Sequence, residues 1–412
     1  MKFFFMCTHP NQGTGYSRVA NKLTNHLASL PGVEVVYYAF QNFKGQCVKD
    51  RFIDPRIKFY DAMEIDPKAP GGFGDAGIVP SIIKEKPDVL FHYNEMTVVR
   101  DIMRLIPSEH MPPKKYLYLD MVYPWHNINT LEIIKGYKFD HIWTFLDTWK
   151  RHMVDDLKFD PSNVTTMVHG VDFERFVDVP REEAKVKAGF KPDDYLVVNM
   201  NRNSSRKMWE TTIKAFLELL QRENMNPRIK LYCGGLPFYR DGVDIGMTAR
   251  TECLRRGMDT EQVVNHHIFM NPKPLHLTDA EVNNIYNAGD VGLSTTRGEG
   301  FGLTPLEHMY LNRPQVVTGI PALKETMGPY AHFVEPKLWV RVGESEPHDG
   351  EGALCDYKDF ADHLQYCFKN PDERPNARDY LKEKYSWDNM YKVLDEAFNI
   401  QNPHYQDCYL SN

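Results

Sequence analysis

The chain has 412 residues, 42 % of them hydrophobic and 25 % charged, with a formal net charge of −7. That length exceeds one ordinary core and predicts two or three domains of a folded soluble protein, while the acidic balance gives no support for nucleic-acid binding. Seven cysteines, none in C-x-x-C spacing, argue against a disulfide framework and against a structural zinc site.

The opening M-K-F-F-F-M-C is apolar but stops at Thr8, short for a signal peptide, and reads as the buried first strand of a parallel sheet. No run reaches membrane-spanning length. The expected location is the cytoplasm or a cytoplasmic membrane face, which leaves room for a peripheral membrane contact. Further strands are predicted at 33–39, 89–91, 116–119, 141–145 and 165–168, and helices at 17–29, 80–85, 98–105 and 147–157. The segment 67–77 is rich in Gly and Pro and reads as a surface loop, as does 237–246.

A second cycle follows the polar segment 180–194. It predicts a strand at 195–200, a helix at Trp209–Arg222, a strand at Ile229–Cys233 and a capping box, Thr278 with Glu281, opening a helix to Ala288. Then come strand 291–293, helix 305–311, strand 315–317 and a last helix capped by Ser386 and running to Phe398. This alternation is that of open parallel sheets. It predicts two Rossmann-like, doubly wound α/β domains facing each other across a cleft, residues 1–180 and 181–385, with the final segment 386–412 packing back on the first.

Chemistry concentrates after predicted strands. Gly13-Thr14-Gly15 follows the first strand; the glycines could let a ligand approach the backbone, with Tyr16 and Arg18 nearby, or serve a tight turn. His92, Asn94, Glu95, Asp120, Tyr123 and His126 follow strands of the first half, where one or two should meet a substrate. The pair His266-His267 is expected on a strand, where neighbouring side chains point apart and could not readily chelate together. In N-M-N-R-N-S-S-R-K, Arg202 and Lys207 could clamp a diphosphate, with Arg206 a rival for either role, or could be ordinary loop charges. In D-V-G-L-S-T-T-R-G-E-G-F-G, glycines place Glu299 in a loop before a helix N-terminus, where an anion is favoured. Glu307 could meet a ribose, or could close a capping box with Thr304 and Pro305. A ligand both phosphorylated and rich in hydroxyls, such as a sugar nucleotide, fits this set.

The stretch E-G-F-G-L-T-P-L-E at 299–307 resembles the paired-glutamate motif of glycosyltransferase family 4, retaining enzymes of the GT-B fold. L-T-D-A-E-V-N-N-I-Y-N-A-G-D at 277–290, R-P-Q-V-V-T at 313–318, V-H-G-V-D-F-E-R-F at 168–176 and Tyr385-Ser386-Trp387 resemble other segments of that family. The overall look also resembles glycosyltransferases encoded by large algal viruses. The resemblance implies that Arg202 and Lys207 hold the donor diphosphate and that Glu299 meets the donor sugar, helped by backbone at Gly300, Phe301, Gly302 and Leu303. Glu307 would bind the nucleotide ribose, and Gly13 and Gly15 would lie near the phosphates and the acceptor. Asp120, or His126, would stand where many members carry a histidine against the sugar. Further implied are a nucleotide-sugar donor, GDP-mannose favoured over UDP-sugars, a glycan or other hydroxyl acceptor, no tightly bound cofactor and no divalent metal. Departures are Asn201 where the family often has Gly, Tyr310 and Asn312 in place of small residues, and P-A-L-K-E at 321–325 in place of a Gly-Gly turn. Another GT-B activity, or a binding protein without catalysis, are the alternatives.

Overall fold

The first strand is apolar on both faces because both faces are covered: Phe3, Phe4, Phe5, Met6 and Cys7 are all fully buried. A computed structural model describes residues 1–44, 51–271, 277–342 and 349–399. They form two compact units. One comprises Met1–Gly170 with 349–350 and 385–399; the other comprises Val171–Val342 with Glu351–Lys384.

The first unit is a seven-stranded sheet of β1 (Lys2–Thr8), β2 (Glu34–Phe40), β3 (Lys58–Asp61), β4 (Val89–Glu95), β5 (Lys114–Asp120), β6 (His141–Thr144) and β7 (Val164–Thr166). Its order is β3-β2-β1-β4-β5-β6-β7, with every pairing parallel. Parallel neighbours need crossovers, and Gly15–Ser29, Asp75–Glu85, Met96–Arg104 and Ile128–Gly136 supply them as helices. The helix Trp387–Ala397, capped by Ser386, belongs to this unit. Phe398 just beyond it seats its ring 4.8 Å from Phe3 and 4.7 Å from Tyr116, while Asp395 bonds His26 Nε2 at 2.7 Å. Gly170 lies under the same helix, so close that a Cβ there would sit 2.5 Å from the Trp387 ring. Residues 400–412 of the predicted C-terminal segment lie outside the described residues.

The second unit has β8 (Tyr195–Asn199), β9 (Ile229–Cys233), β10 (Ile268–Met270), β11 (Val291–Ser294), β12 (Gln315–Thr318) and β13 (His332–Val334). These pair in parallel as β10-β9-β8-β11-β12-β13. Trp209–Arg222 is the principal cover of this sheet, with Trp209, Ile213, Phe216, Leu217 and Leu220 in one core with Val197, Leu231 and Val291. The capping box is formed: Thr278 Oγ1 accepts from Glu281 N, and Glu281 reaches back to Thr278 N at 2.7 Å.

Several expectations are corrected. Strands β3, β10 and β13 lie at sheet edges with only three or four residues and were not predicted. Within 67–77 the chain turns helical at Asp75, and within 237–246 at Ile245. The segment 321–325 opens a helix, Pro321–Met327. His266 ends the helix Thr260–His266 and His267 caps it, so neither is on a strand.

Candidate functional site

In the second unit the strand order reverses between β8 and β11, and such a reversal opens a place for a ligand at the C-terminal ends of the strands. Asparagines fix the loop after β8. Asn201 is buried and donates to Ser294 Oγ at 3.1 Å, joining the ends of β8 and β11. Asn203 donates to the carbonyls of Leu236 and Val243, at 3.0 and 2.6 Å. The loop after β11 is laced to the loop after β8: Thr295 Oγ1 lies 3.0 Å from the Met208 carbonyl, and Arg297 N donates to Arg206 O at 3.0 Å.

This lacing brings Glu299 against Arg206 and Lys207. Arg206 Nη1 donates to Glu299 Oε2 at 2.8 Å and also to the Gly298 carbonyl, while Lys207 Nζ pairs with Glu299 Oε1. Burial alone would raise the Glu299 carboxyl, but Lys207 and Arg206 hold it down to about 2, so it is ionised. Burial draws the Lys207 ammonium downward, opposed by Glu299 and assisted by Arg206 and Arg202. Arg202 is exposed and sets its guanidinium 5.9 Å from the Tyr239 ring, with no contact to Glu299 among those found. Of the three basic residues in the loop, the structure thus gathers Arg206 and Lys207, where sequence alone ranked Arg202 and Lys207.

Gly300, Phe301 and Gly302 are buried, and Gly302 has φ 94°, a left-handed conformation that favours glycine. It caps the helix Leu303–Tyr310, whose first N–H groups face the end of this loop. Thr304 and Pro305 are therefore inside the first turn, and no side chain caps this helix. The capping reading of Glu307 fails. Glu307 instead pairs with Arg175 Nη2 and lies 3.4 Å from the Tyr286 hydroxyl, while Arg175 also reaches Asp279 at 3.3 Å. Arg175 and Tyr286 were missed as partners; the signal available was the Arg of F-E-R-F at 173–176. A cavity of about 200 Å³, open space at its mouth included, lies at the same strand ends, bordered by Asn201, Ser294, Thr304 and His308.

In the first unit the order reverses between β1 and β4. Thr14 caps the helix after β1, its Oγ1 accepting from Ser17 N at 3.2 Å, and Gly13 is exposed in the turn before it. Tyr16 donates from its hydroxyl to Asp120 Oδ2 at 2.6 Å, tying the glycine turn to the end of β5. Burial, and then the Asp120 charge, drive the Tyr16 phenol well above its ordinary range, so it stays a donor. Tyr123 and His126 are buried beyond Asp120. His92 lies inside β4, not after it; it is fully buried, and neither ring nitrogen has a partner among the described residues. It belongs to the core.

Among the described residues no group of three or more His, Cys, Asp or Glu is placed to hold a metal, and no helix is long and apolar enough to cross a membrane.

Both units are Rossmann-like parallel α/β sheets, and together they define a GT-B fold. Residues 180–384 match the family model described as glycosyl transferases group 1. The chain is 24 % identical to D-inositol 3-phosphate glycosyltransferase of Corynebacterium urealyticum over 58 % of this chain and 51 % of that protein. It is 23 % identical to an uncharacterized glycosyltransferase of Methanocaldococcus jannaschii over 66 % and 63 %. The match thus spans about half the length of the first of these relatives. Sucrose-phosphate synthase of Thermosynechococcus elongatus superposes with a TM-score of 0.69 at 14 % identity, over 97 % of this chain and 98 % of that one. Anabaena HepE, solved with UDP and glucose, gives 0.66 at 13 % identity, over 97 % and 99 %. The chain is a GT-B-fold relative of glycosyltransferases that use nucleotide sugars.

Proposed function

We propose that the chain is a retaining glycosyltransferase that moves a hexose from a UDP-sugar to a hydroxyl of a glycan or other acceptor. The observation that carries this reading is the Glu299 carboxylate held by Lys207 and Arg206 where the second sheet reverses its order. With Arg202 on the same loop, three cations surround one carboxylate, which leaves an excess of positive charge for a diphosphate.

In this reading the donor diphosphate takes over the contacts that Arg206 and Lys207 now make to Glu299, with Arg202 added from the exposed side. Glu299 is then released toward the sugar hydroxyls, and the N–H groups around Gly300, Phe301, Gly302 and Leu303 face the donor. Glu307 takes the ribose. Asp120 keeps the role implied by resemblance, contact with the donor sugar, and Gly13 and Gly15 that of lying near phosphates and acceptor. Departure of the nucleoside diphosphate is assisted by the basic residues, so no divalent metal is needed for charge neutralisation. Catalysis is orientation plus stabilisation of the leaving group, with attack on the face from which the diphosphate departs. Glu299 is not assigned as a nucleophile, since two-carboxylate glycosidases hold their pair across the reacting bond.

The earlier preference for GDP-mannose gives way to a UDP-sugar. HepE was solved with UDP and with UDP-glucose, and TarM of S. aureus with UDP. Incubating the protein with UDP-glucose, UDP-N-acetylglucosamine and GDP-mannose separately, and quantifying free nucleoside diphosphate, tests the assignment. Release of UDP from one donor is expected; release of GDP alone would restore the mannosyl reading, and no release from any would refute transfer from these donors.

A further inference from the structure

The edge of the second sheet away from Glu299 carries a surplus of buried hydrogen-bond donors. Tyr195 opens β8, Asp290 directly precedes β11, and Arg313 stands two residues before β12. Asp290 is already committed: Oδ1 to Arg181 at 2.9 Å, Oδ2 to Lys185 Nζ and to Leu196 N, both at 2.8 Å. Arg313 is only 5 % exposed, and its Nη2 donates to the Asn287 carbonyl at 3.0 Å. Its Nε and Nη1 have no acceptor among the described residues, and neither has the buried Tyr195 hydroxyl.

These groups share one neighbourhood. Arg181 and Asp290 act electrostatically on both Tyr195 and Arg313, and Arg374, on the segment after helix Tyr357–Lys369, acts on Arg313. Burial first, and then the charges of Arg374 and Arg181, press the Arg313 guanidinium down to about 10, in spite of Asp290 and Asp178. Asp178 cannot balance the cluster alone, being bonded twice by Arg378 at 2.7 and 2.8 Å. Buried donors are normally satisfied, and an arginine left with two unmet N–H directions in a cationic setting calls for an acceptor that brings negative charge.

We infer that Arg181, Tyr195, Arg313 and Arg374 form a second anion site, for a phosphate-class oxyanion, at the N-terminal edge of this sheet. The five residues of β8 separate it from the loop that carries Arg206 and Lys207, a span of roughly 13 Å at the usual rise per residue. It is independent of the donor reading. A tetrahedral oxyanion suits it because guanidinium and hydroxyl donors on different elements converge from several directions.

The test is a calorimetric titration of the full chain with inorganic phosphate, ionic strength held constant with chloride. Wild type, Arg374→Ala, Tyr195→Phe and Lys207→Ala are compared, each also titrated with UDP. Arg374 is exposed and Tyr195→Phe is conservative, so both should fold. We expect saturable phosphate binding that Arg374→Ala and Tyr195→Phe each weaken about tenfold, that Lys207→Ala leaves intact, and UDP affinity unchanged in the first two variants. Absence of saturable binding, or binding that fails to respond to both Arg374→Ala and Tyr195→Phe, would overturn the inference. Loss of UDP binding in every protein would count against the donor reading and leave this one standing.

Discussion

Arg175 and Glu307, 132 positions apart in the chain, form an ion pair inside the second unit, with side chains 15 % and 8 % exposed. A carboxylate that the local pattern assigns to its own helix is instead bound to the segment that begins this unit. Glu307→Gln is expected to cost about 1–3 kcal/mol of stability, because the guanidinium keeps only Asp279 as a charged partner. Thr304→Ala should stay within about 0.5 kcal/mol, since Thr304 caps nothing. Urea denaturation of both variants checks the pair; a larger loss for Thr304→Ala than for Glu307→Gln would restore the capping account.

The grouping of Arg206 with Lys207 makes a second prediction. Arg206→Ala should weaken UDP binding about tenfold, at least as much as Arg202→Ala, with Lys207→Ala the most severe of the three. Calorimetry with UDP measures all three. Wild-type affinity in Arg206→Ala would return the clamp to Arg202 and Lys207.

Acid should destabilise the protein well above the range where carboxylates titrate. Burial lowers His92, His169 and His308 from 6.5 to about 3, so all three are neutral in the folded chain at pH 5. The unfolded chain takes up these protons first. Their contribution is complete above pH 6.5 and is lost as pH falls toward 3, by roughly 1.4 kcal/mol per unit for each group. Glu299, held near 2, adds its own loss only between about 4.5 and 2. Urea midpoints at pH 7, 6 and 5 should therefore already fall; a flat profile across that range would contradict neutral buried histidines.

Tyr16→Phe removes the 2.6 Å bond to Asp120 and little else. We expect a small stability change, on the order of 1 kcal/mol, and a clear fall in turnover, because Asp120 loses the donor that fixes its rotamer. Turnover equal to wild type would show that Asp120 needs no such anchor.

Long, strongly patterned elements were legible in the sequence: Trp209–Arg222 from its apolar stripe, Ile229–Cys233 from its buried run, and the helix after Thr278 from its capping box. Strand β3 was not, because Lys58, Phe59 and Tyr60 at a sheet edge are exposed or half-buried and carry no continuous apolar signal. Strands β10 and β13, with three residues each, owe their existence to the neighbour they pair with. Glu299 was legible as a site residue from the glycines around it. Its hold on Arg206 was not, since that contact depends on how two loops are laced together. The misreading of Glu307 has one local cause: Gly302 starts the helix early enough to place Thr304 within it.

The most direct test of the central claim is proton NMR of UDP-glucose and UDP-N-acetylglucosamine, each with wild type and with Lys207→Ala, in the presence of a chelator. The account predicts that one donor's anomeric signal decays with wild type, that UDP appears, and that the first new sugar signal is α-configured, with turnover largely lost in Lys207→Ala. A first product of β configuration would contradict retention, and UDP binding without any decay of either donor would contradict transfer from these donors.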